Sequence, residues 1–128
     1  MPIYKSTAAR NAACGAIVNL IDTGAPTPGY VNIYATGSTS LIASINFSGI
    51  PAFEGNPIDG MTQISGAIGN NAVSGGTAGW FSVNDSNGDV VWSGDCGTTP
   101  DSALVFTDQV IISGAYIQLD VVRFTVPE

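Results

Sequence analysis

Carboxylates are the side chains of this sequence that could do acid–base chemistry, because the chain contains no histidine. Without histidine there is neither a histidine-based triad nor a zinc site that uses imidazole. Glu54 with Asp59, and Asp85 with Asp89, could act as acid–base pairs. Each of these carboxylates stands among turn-forming residues, where aspartate normally caps its own backbone. The sequence therefore favours turns over catalysis here, and we expect no enzyme and no cofactor.

The tripeptide Asp22-Thr23-Gly24 is a sequence that also occurs in the catalytic loops of some enzymes. The run Leu20–Ala25 resembles the active-site loop of retropepsin-like aspartic proteases, dimers that pair one aspartate from each subunit. Ala67–Asn71 has a fainter likeness to the downstream apolar–glycine motif of those enzymes. That chemistry needs Asp22 in a loop leaving a strand, whereas an amphipathic helix leads into it here. We therefore expect the tripeptide to end a helix, and the dimeric aspartic protease stays as an alternative.

The run Asp85-Ser86-Asn87-Gly88-Asp89 carries oxygen atoms that could bind calcium. An EF-hand loop needs glycine at its sixth position and a bidentate glutamate at its twelfth. Counted from Asp85, Gly88 is fourth and Cys96 is twelfth. Asn87-Gly88 is instead the pair preferred in a type I′ turn, since both positions need positive φ. We therefore predict a hairpin turn and no metal site.

Four aromatic side chains could form a carbohydrate-binding platform: Tyr30, Tyr34, Trp80 and Trp92. The two tryptophans fall on paired strands of the predicted hairpin and could be cross-strand neighbours. Such a pair belongs more often to a core or an interface, so a carbohydrate-binding module is kept as an alternative.

The charge balance excludes several partners. The sequence contains ten acidic residues and only three basic ones, Lys5, Arg10 and Arg123, which gives a formal net charge of −7. Nucleic-acid binding needs several cations to neutralise phosphates, and an anionic membrane surface would repel an acidic chain. We therefore expect neither a nucleic-acid nor a membrane partner.

The two cysteines, Cys14 and Cys96, form no CxxC motif. Unbonded cysteine is usually buried, so two buried thiols are expected. A disulfide stays open for a protein that later meets an oxidising medium.

A helix is predicted from about Thr7 to Asp22. Ser6 or Thr7 can cap its start, and Gly24 is placed for a left-handed C-terminal cap, followed by Pro26 and Pro28. The apolar stripe at helical spacing consists of Ala9, Ala13, Ile17 and Leu20, with Ala16 and Ile21 beside it.

After Pro28 the apolar period changes to two, which indicates strands. Loops are expected over Gly49–Gly60, Asn70–Gly76 and Cys96–Pro100. The predicted strands are Tyr30–Ala35, Leu41–Phe47, Met61–Ile68, Trp80–Asn84, Val90–Gly94, Ala103–Phe106, Gln109–Ile112 and a long last strand with a β-bulge near Val121-Val122. Seven or eight strands at short spacing predict one domain over residues 1–128, mainly β. It would be an antiparallel β-sandwich or jelly-roll-like barrel over about 30–126 with one N-terminal helix over about 7–22. The predicted core comprises Ile17, Leu20, Val31, Ile33, Leu41, Ile45, Phe47, Val83, Val91, Leu119 and Phe124.

The order of these motifs resembles a group of small tailed-phage and prophage virion structural proteins. The likeness covers nearly the whole chain, and the order is more specific than any one motif. The chain departs from this group of proteins at Cys14 and Cys96 and in the long Gly49–Gly60 loop. The matching segments are the alanine-rich helix Ala12–Asp22, the strand Gly29–Tyr34, the strand and loop Leu41–Phe47 with Pro51–Phe53, the hairpin Gly79–Gly88 and the end Val121–Pro127.

The resemblance implies a virion component. Because no apolar signal region precedes Cys14, we expect the protein to be made in the host cytoplasm. A chain too short for a fibrous stalk, and without collagen-like or heptad repeats, favours the capsid surface. We therefore expect a capsid decoration or cement protein that contacts the major capsid protein and itself, as a trimer; a tail or baseplate component is the alternative. Exposed loops and the N-terminus supply the candidate interface residues, which are Ile3, Tyr4, Pro51, Phe53, Pro57, Thr98 and Pro100.

Overall fold

The protein is described from a computed structural model over residues 6–22, 28–48, 53, 57–58, 61–64, 68–99, 104–106, 108–119 and 123–125. At 105 and 123–125 the backbone alone is described. These residues form a mainly β structure with antiparallel sheets and one N-terminal helix, in a β-sandwich-like arrangement. The predicted fold class is confirmed.

The N-terminal helix, α1 (Thr7–Asn19), continues into a 3₁₀ turn over Leu20–Asp22. The side chain of Ser6 accepts a hydrogen bond from the Ala9 amide at 3.1 Å, which caps the helix as predicted. Gly24 and Pro26 lie outside the described residues.

The buried face of the helix differs from the predicted stripe. Cys14, Val18 and Ile21 are buried, whereas Leu20 is 54% exposed. The 3₁₀ turn has fewer residues per turn than an α-helix, and in it Ile21, not Leu20, faces the core. The prediction of Leu20 as a core residue is therefore wrong, and Ile17 is partly buried.

Ten strands are present among the described residues, more than the seven or eight predicted. They are β1 (Tyr30–Ala35), β2 (Leu41–Asn46), β3 (Met61–Gln63), β4 (Ile68–Asn71), β5 (Gly76–Asn84), β6 (Val90–Gly97), β7 (Leu104–Val105), β8 (Val110–Ile111), β9 (Tyr116–Leu119) and β10 (Arg123–Thr125). The predicted strand Met61–Ile68 is two strands, β3 and β4, and residues 70–71 belong to β4 instead of a loop. The predicted bulge at Val121-Val122 lies outside the described residues.

A central sheet has the strand order β2-β1-β5-β6-β7, and β8 pairs with the start of β5. Its pairs are antiparallel except β6 with β7. The strand β4 lies beside β2. Just after β4, the Val73 amide donates to the Ile42 carbonyl at 2.8 Å. The strand β9 pairs with β4 in an antiparallel manner. A second pair, β3 with β10, lies next to α1.

Three one-residue register shifts interrupt the central sheet, as β-bulges do. In β2 the pairing passes from Ile33–Ala43 to Tyr34–Leu41, so Ile42 is the extra residue. Both Ile42 and Ala43 are buried as a result, and Leu41 is only partly buried. The strict alternation predicted for this strand is therefore wrong at Ile42. The prediction of Leu41 as a core residue is also wrong, because Leu41 pairs with Tyr34 on the face that is turned away from the core. Equivalent shifts leave Gly79 unpaired opposite β1 and Val91 unpaired opposite β5.

The core lies on the face of the central sheet that carries Val31, Ile33 and Val83, and Cys14, Val18 and Ile21 of the helical segment belong to the same buried cluster. Of the predicted core residues, six are buried: Val31, Ile33, Ile45, Phe47, Val83 and Leu119. Val91 is partly buried, and the side chain of Phe124 is outside the described residues. Phe81, Ile42 and Cys14 are core residues that the sequence prediction did not include.

Candidate functional site

The residues predicted to form the interface are only partly within the described chain. Ile3, Tyr4, Pro51 and Pro100 lie outside it. Thr98 is exposed, and Pro57 is half-buried beside Gly15 of the helix.

Phe53 does not form an exposed contact. It is 2% exposed, pairs its backbone with Ile64, and packs its ring against Phe47 and Trp92 at centroid distances of 5.6 and 5.5 Å. Its ring belongs to the buried core, so the predicted exposure of Phe53 is wrong.

Asp22 is the last residue of the 3₁₀ turn that follows α1, so a helical segment leads into it. This is the predicted helix end, and it differs from the strand-to-loop position that an aspartic protease requires. Thr23 and Gly24, like Glu54 and Asp59, lie outside the described residues.

Asp85 is a turn-capping residue, as predicted. Its buried carboxylate accepts from the amides of Asn87 at 2.9 Å and Asp89 at 3.0 Å. The turn is not the predicted two-residue type I′ form. The Asp85 amide donates to the Asp89 carbonyl, the Gly88 amide donates to the Asp85 carbonyl, and Gly88 has a left-handed φ of 90°. This is the three-residue hairpin loop in which glycine follows the turn.

Within the residues that the structure describes, no group of three or more His, Cys, Asp or Glu is placed to hold a metal ion. Cys14 and Cys96 are both buried, which confirms the predicted buried thiols. Burial raises the pKa of Cys14, and burial, with a smaller effect of the Asp95 carboxylate, raises the pKa of Cys96 to about 12. A thiol with a raised pKa is a poor nucleophile at neutral pH.

The two tryptophans lie on opposite faces of the central sheet. Trp80 pairs with Asp95, whereas Trp92 pairs with the buried Val83 and contacts Phe53. The bulge at Val91 causes this separation, because one extra residue turns every following side chain to the other face. The prediction that Trp80 and Trp92 are cross-strand neighbours is therefore wrong.

Trp80 instead stacks on Tyr34, its partner on β1, with ring centroids 4.2 Å apart and an interplanar angle of 18°. The indole N–H donates to the Ser38 carbonyl at 2.8 Å. Tyr30 lies on the same strand face as Tyr34, so three of the four predicted platform residues share the face of the sheet that is turned away from the core.

Uncharged polar side chains fill the space between these rings. Pairing places Ser44, Asn32 and Ser82 in one row across β2, β1 and β5, between the row of Tyr30 and the row of Tyr34. We call this surface the aromatic–amide face, and it consists of Tyr30, Asn32, Tyr34, Ser44, Asn46, Trp80, Ser82 and Asn84. Its border is formed by the residues that pair with it on the same side of the sheet, which are Leu41, Val90, Ser93 and Asp95.

A second surface, at the edge of the fold, is apolar. The backbones of residues 72–73 and 112–116 are joined there, since the Ala72 amide donates to the Ala115 carbonyl at 2.7 Å and the Gly114 amide to the Ala72 carbonyl at 2.9 Å. The Tyr116 ring lies over the Gly69 backbone. We call this surface the uncharged edge patch, and it consists of Val73 (65% exposed), Val110 (62%), Ile112 (75%) and Tyr116 (62%).

Sequence reasoning missed this patch, although a signal for it was present. No charged residue occurs between Asp59 and Asp85, or between Asp108 and Asp120, and the patch is built from these two intervals. In a chain of net charge −7, such intervals mark surface that avoids like-charge repulsion.

The fold and these surfaces define a small, acidic, mainly β domain with an uncharged polar face and an apolar edge. No helix among the described residues has the length and apolarity to cross a membrane. Comparisons with protein-family models, with curated proteins and with solved structures found no match.

Proposed function

We propose that this chain is a bacteriophage virion structural protein, a capsid decoration or cement protein that stabilises the lattice of the major capsid protein. The observation that carries the proposal is the uncharged edge patch. Four large apolar side chains, each more than 60% exposed, form this patch on an acidic chain. The carboxylates elsewhere on the surface would disfavour contact with another acidic protein. Exposed apolar surface of this kind is typical of a protein–protein contact.

The chemistry of the patch suits a structural contact. The centre of an interface is depleted in charge and enriched in aromatic and apolar side chains, with hydrogen bonds supplied by neutral polar groups. Ser113 is exposed beside Ile112 and can supply such bonds. A protein that binds only the assembled lattice stabilises it by mass action, without a catalytic step.

The order of sequence motifs supports the virion assignment independently of the patch. An alanine-rich helix precedes short strands, a proline–phenylalanine loop and a glycine-containing hairpin, as in the phage proteins that the chain resembles. The helix and strands are formed in that order.

Location in the particle is the first test. Virions of the phage whose genome encodes the chain would be separated into DNA-filled heads and tails, and the chain measured in each fraction. We expect it with heads, in a fixed ratio to the major capsid protein. Recovery with tails alone would identify the tail or baseplate alternative and overturn the cement role, and recovery with neither would overturn the virion role.

A matched pair of variants tests the contact surface. Ile112→Asp places a carboxylate in the patch, and Ile58→Asp makes the same change at a 69% exposed isoleucine beside Pro57, in the loop predicted as a contact. Both variants would be added to heads stripped of the chain, and the retained amount and the heat resistance of the heads measured. We expect Ile112→Asp to lose binding at least tenfold and Ile58→Asp to bind normally. The reverse result would place the contact at the loop and remove the patch from the proposal.

A further inference from the structure

We propose that the aromatic–amide face binds a neutral carbohydrate. The inference does not depend on a virion location, because it concerns a different surface from the uncharged edge patch. It starts from the outward side of the central sheet, where half-buried aromatic rings border a strip of amide and hydroxyl groups.

Two polar residues of this face are buried although they point away from the core. Ser82 is 1% exposed and Asn84 is 3% exposed. Asn84 Nδ2 donates to Ser82 Oγ at 3.1 Å, so the pair forms a fixed polar floor that is itself covered, and the polar side chains of the face with accessible surface are those of Asn32, Ser44 and Asn46. The hydroxyl of Tyr30 lies near Gly88 of the hairpin loop, 3.3 Å from where a glycine Cβ would stand, so Tyr30 extends over the Asn84 end of this floor.

Asn32 gives the face an unused hydrogen-bonding group. Its Nδ2 donates to the Tyr34 hydroxyl at 3.2 Å, whereas its Oδ1 is buried and has no hydrogen-bond partner among the described residues. An unsatisfied buried acceptor destabilises a fold, and its retention in a native structure calls for a reason. A small rotation of this half-buried side chain would offer Oδ1 to a hydroxyl donor of a ligand.

The chemistry on the face matches a sugar. The negative face of an aromatic ring attracts the C–H groups of a pyranose, and the hydroxyls of the sugar both donate and accept hydrogen bonds, as amides and serines do. The residues that form the face carry no cation, and Asp95 pairs with Trp80 at its border. An anionic ligand would therefore be repelled, and the ligand is a neutral saccharide.

A protein partner fits this face less well. Tyr30, Tyr34 and Trp80 are not among the largely exposed apolar residues, and of those residues only Val90, which pairs with Asn84, borders this face. Much of the aromatic surface is already covered by the Tyr34–Trp80 stack. Little apolar area is left to bury, so hydrogen bonds and limited stacking must supply the affinity, as in carbohydrate recognition.

The test uses neutral gluco-, manno-, galacto- and N-acetylglucosamine oligosaccharides, with polygalacturonate as the acidic comparison. Binding would be followed by calorimetry and by tryptophan fluorescence. We expect one neutral series to bind, and Asn32→Ala to weaken that binding about tenfold, as the loss of one good hydrogen bond does. Trp92→Phe is the matched control on the opposite face, and it should leave affinity within twofold while the fluorescence change from Trp80 persists.

Two results would overturn the proposal: no neutral series binds, or binding persists unchanged in both Asn32→Ala and Tyr30→Ala. Preference for polygalacturonate would contradict the neutral class. Because Trp80 helps to hold the Ser38 turn, Trp80→Ala can disturb the fold, and the Asn32 and Tyr30 variants keep the test valid. Loss of sugar binding would leave the head-binding experiment with Ile112→Asp unaffected, so the two proposals fail separately.

Discussion

Gly29 is the position where the end of the helix segment, the start of β1 and the end of β5 meet. A methyl group added there would overlap the Asn84 carbonyl oxygen and would lie 2.6 Å from Ile21 Cγ2 and 3.1 Å from the Ile21 carbonyl oxygen. The φ of Gly29 is outside the left-handed region, so alanine can adopt the same backbone conformation. The cost of Gly29→Ala is therefore steric.

The size of this cost follows from what surrounds the methyl. Two of the three nearest atoms belong to the backbone, on Ile21 and Asn84, and cannot move away as the end of a flexible side chain can. Overpacking a core costs about 1 to 3 kcal/mol, and backbone on both sides places Gly29→Ala at the upper end. Alanine also reduces the entropy of the unfolded chain, which returns about 0.5 kcal/mol. We expect the free energy of unfolding to fall by about 2 to 3 kcal/mol.

Urea unfolding followed by tryptophan fluorescence measures this change, and Gly15→Ala is its matched control. At Gly15 the added Cβ meets only Pro57 Cγ at 3.8 Å, an ordinary contact. Since alanine is favoured over glycine within a helix, Gly15→Ala should raise the free energy of unfolding by about 1 kcal/mol. If Gly29→Ala costs less than about 0.5 kcal/mol, Ile21 does not pack against the Asn84 end of β5 and the described helix–sheet contact is wrong.

Three further predictions concern the core, the hairpin and the thiols. Ile21→Ala should lower the free energy of unfolding by about 2 to 4 kcal/mol in urea, whereas Leu20→Ala, its exposed neighbour, should change it by less than about 0.5 kcal/mol; equal effects would contradict the assigned helix face. Asp85→Ala should cost about 2 kcal/mol by the same assay because two loop amides lose their acceptor, and Asp89→Ala should cost little. The pKa of Cys96 is raised from 9.0 to about 12 on folding, so above pH 9 this thiol ionises more readily in the unfolded chain than in the folded one. The contribution of the neutral Cys96 thiol to the free energy of unfolding is therefore complete below pH 9 and is lost as the pH rises towards 12. Between pH 8 and 10 the free energy of unfolding should therefore fall by up to about 1 kcal/mol more for the native chain than for Cys96→Ala, and parallel pH profiles would refute this.

The sequence predicted best those elements whose pattern is local. Strand β1 was predicted residue for residue, because Val31 and Ile33 alternate strictly with Tyr30 and Tyr34. The start of α1 was predicted from the capping residue Ser6. In both cases the signal lies within a few neighbouring residues, so no information about a distant partner is needed.

The errors arise where a partner strand decides the structure. A bulge exists only relative to the opposite strand, and nothing in the sequence around Val91 shows that one residue there is unpaired. Together with the three-residue loop, that shift gives the register in which Trp92 pairs with Val83 and contacts Phe53, while Trp80 stacks on Tyr34. A two-residue turn at Asn87-Gly88 would also pair Trp92 with Val83, so the predicted Trp80–Trp92 pair was inconsistent with the predicted turn. The position of Phe53 was predicted wrongly for a similar reason, since its ring packs against Phe47 and Trp92, and the contact with Trp92 joins residues distant in sequence.

The distribution of charge allows both proposed surfaces to act on one small domain. A net charge of −7 disfavours close approach of another acidic surface through the parts of the molecule that carry carboxylates, such as the Asp85–Asp89 loop. Contact through Val73 and Ile112 brings no charge of this chain into the interface and therefore avoids the desolvation of an unpaired ion. Repulsion elsewhere then favours the orientation in which the patch is the contact, while the aromatic–amide face, on the outward side of the central sheet, needs no charge to bind a neutral ligand. The carboxylates therefore disfavour contacts through the charged parts of the surface, and the two uncharged surfaces are where binding is possible.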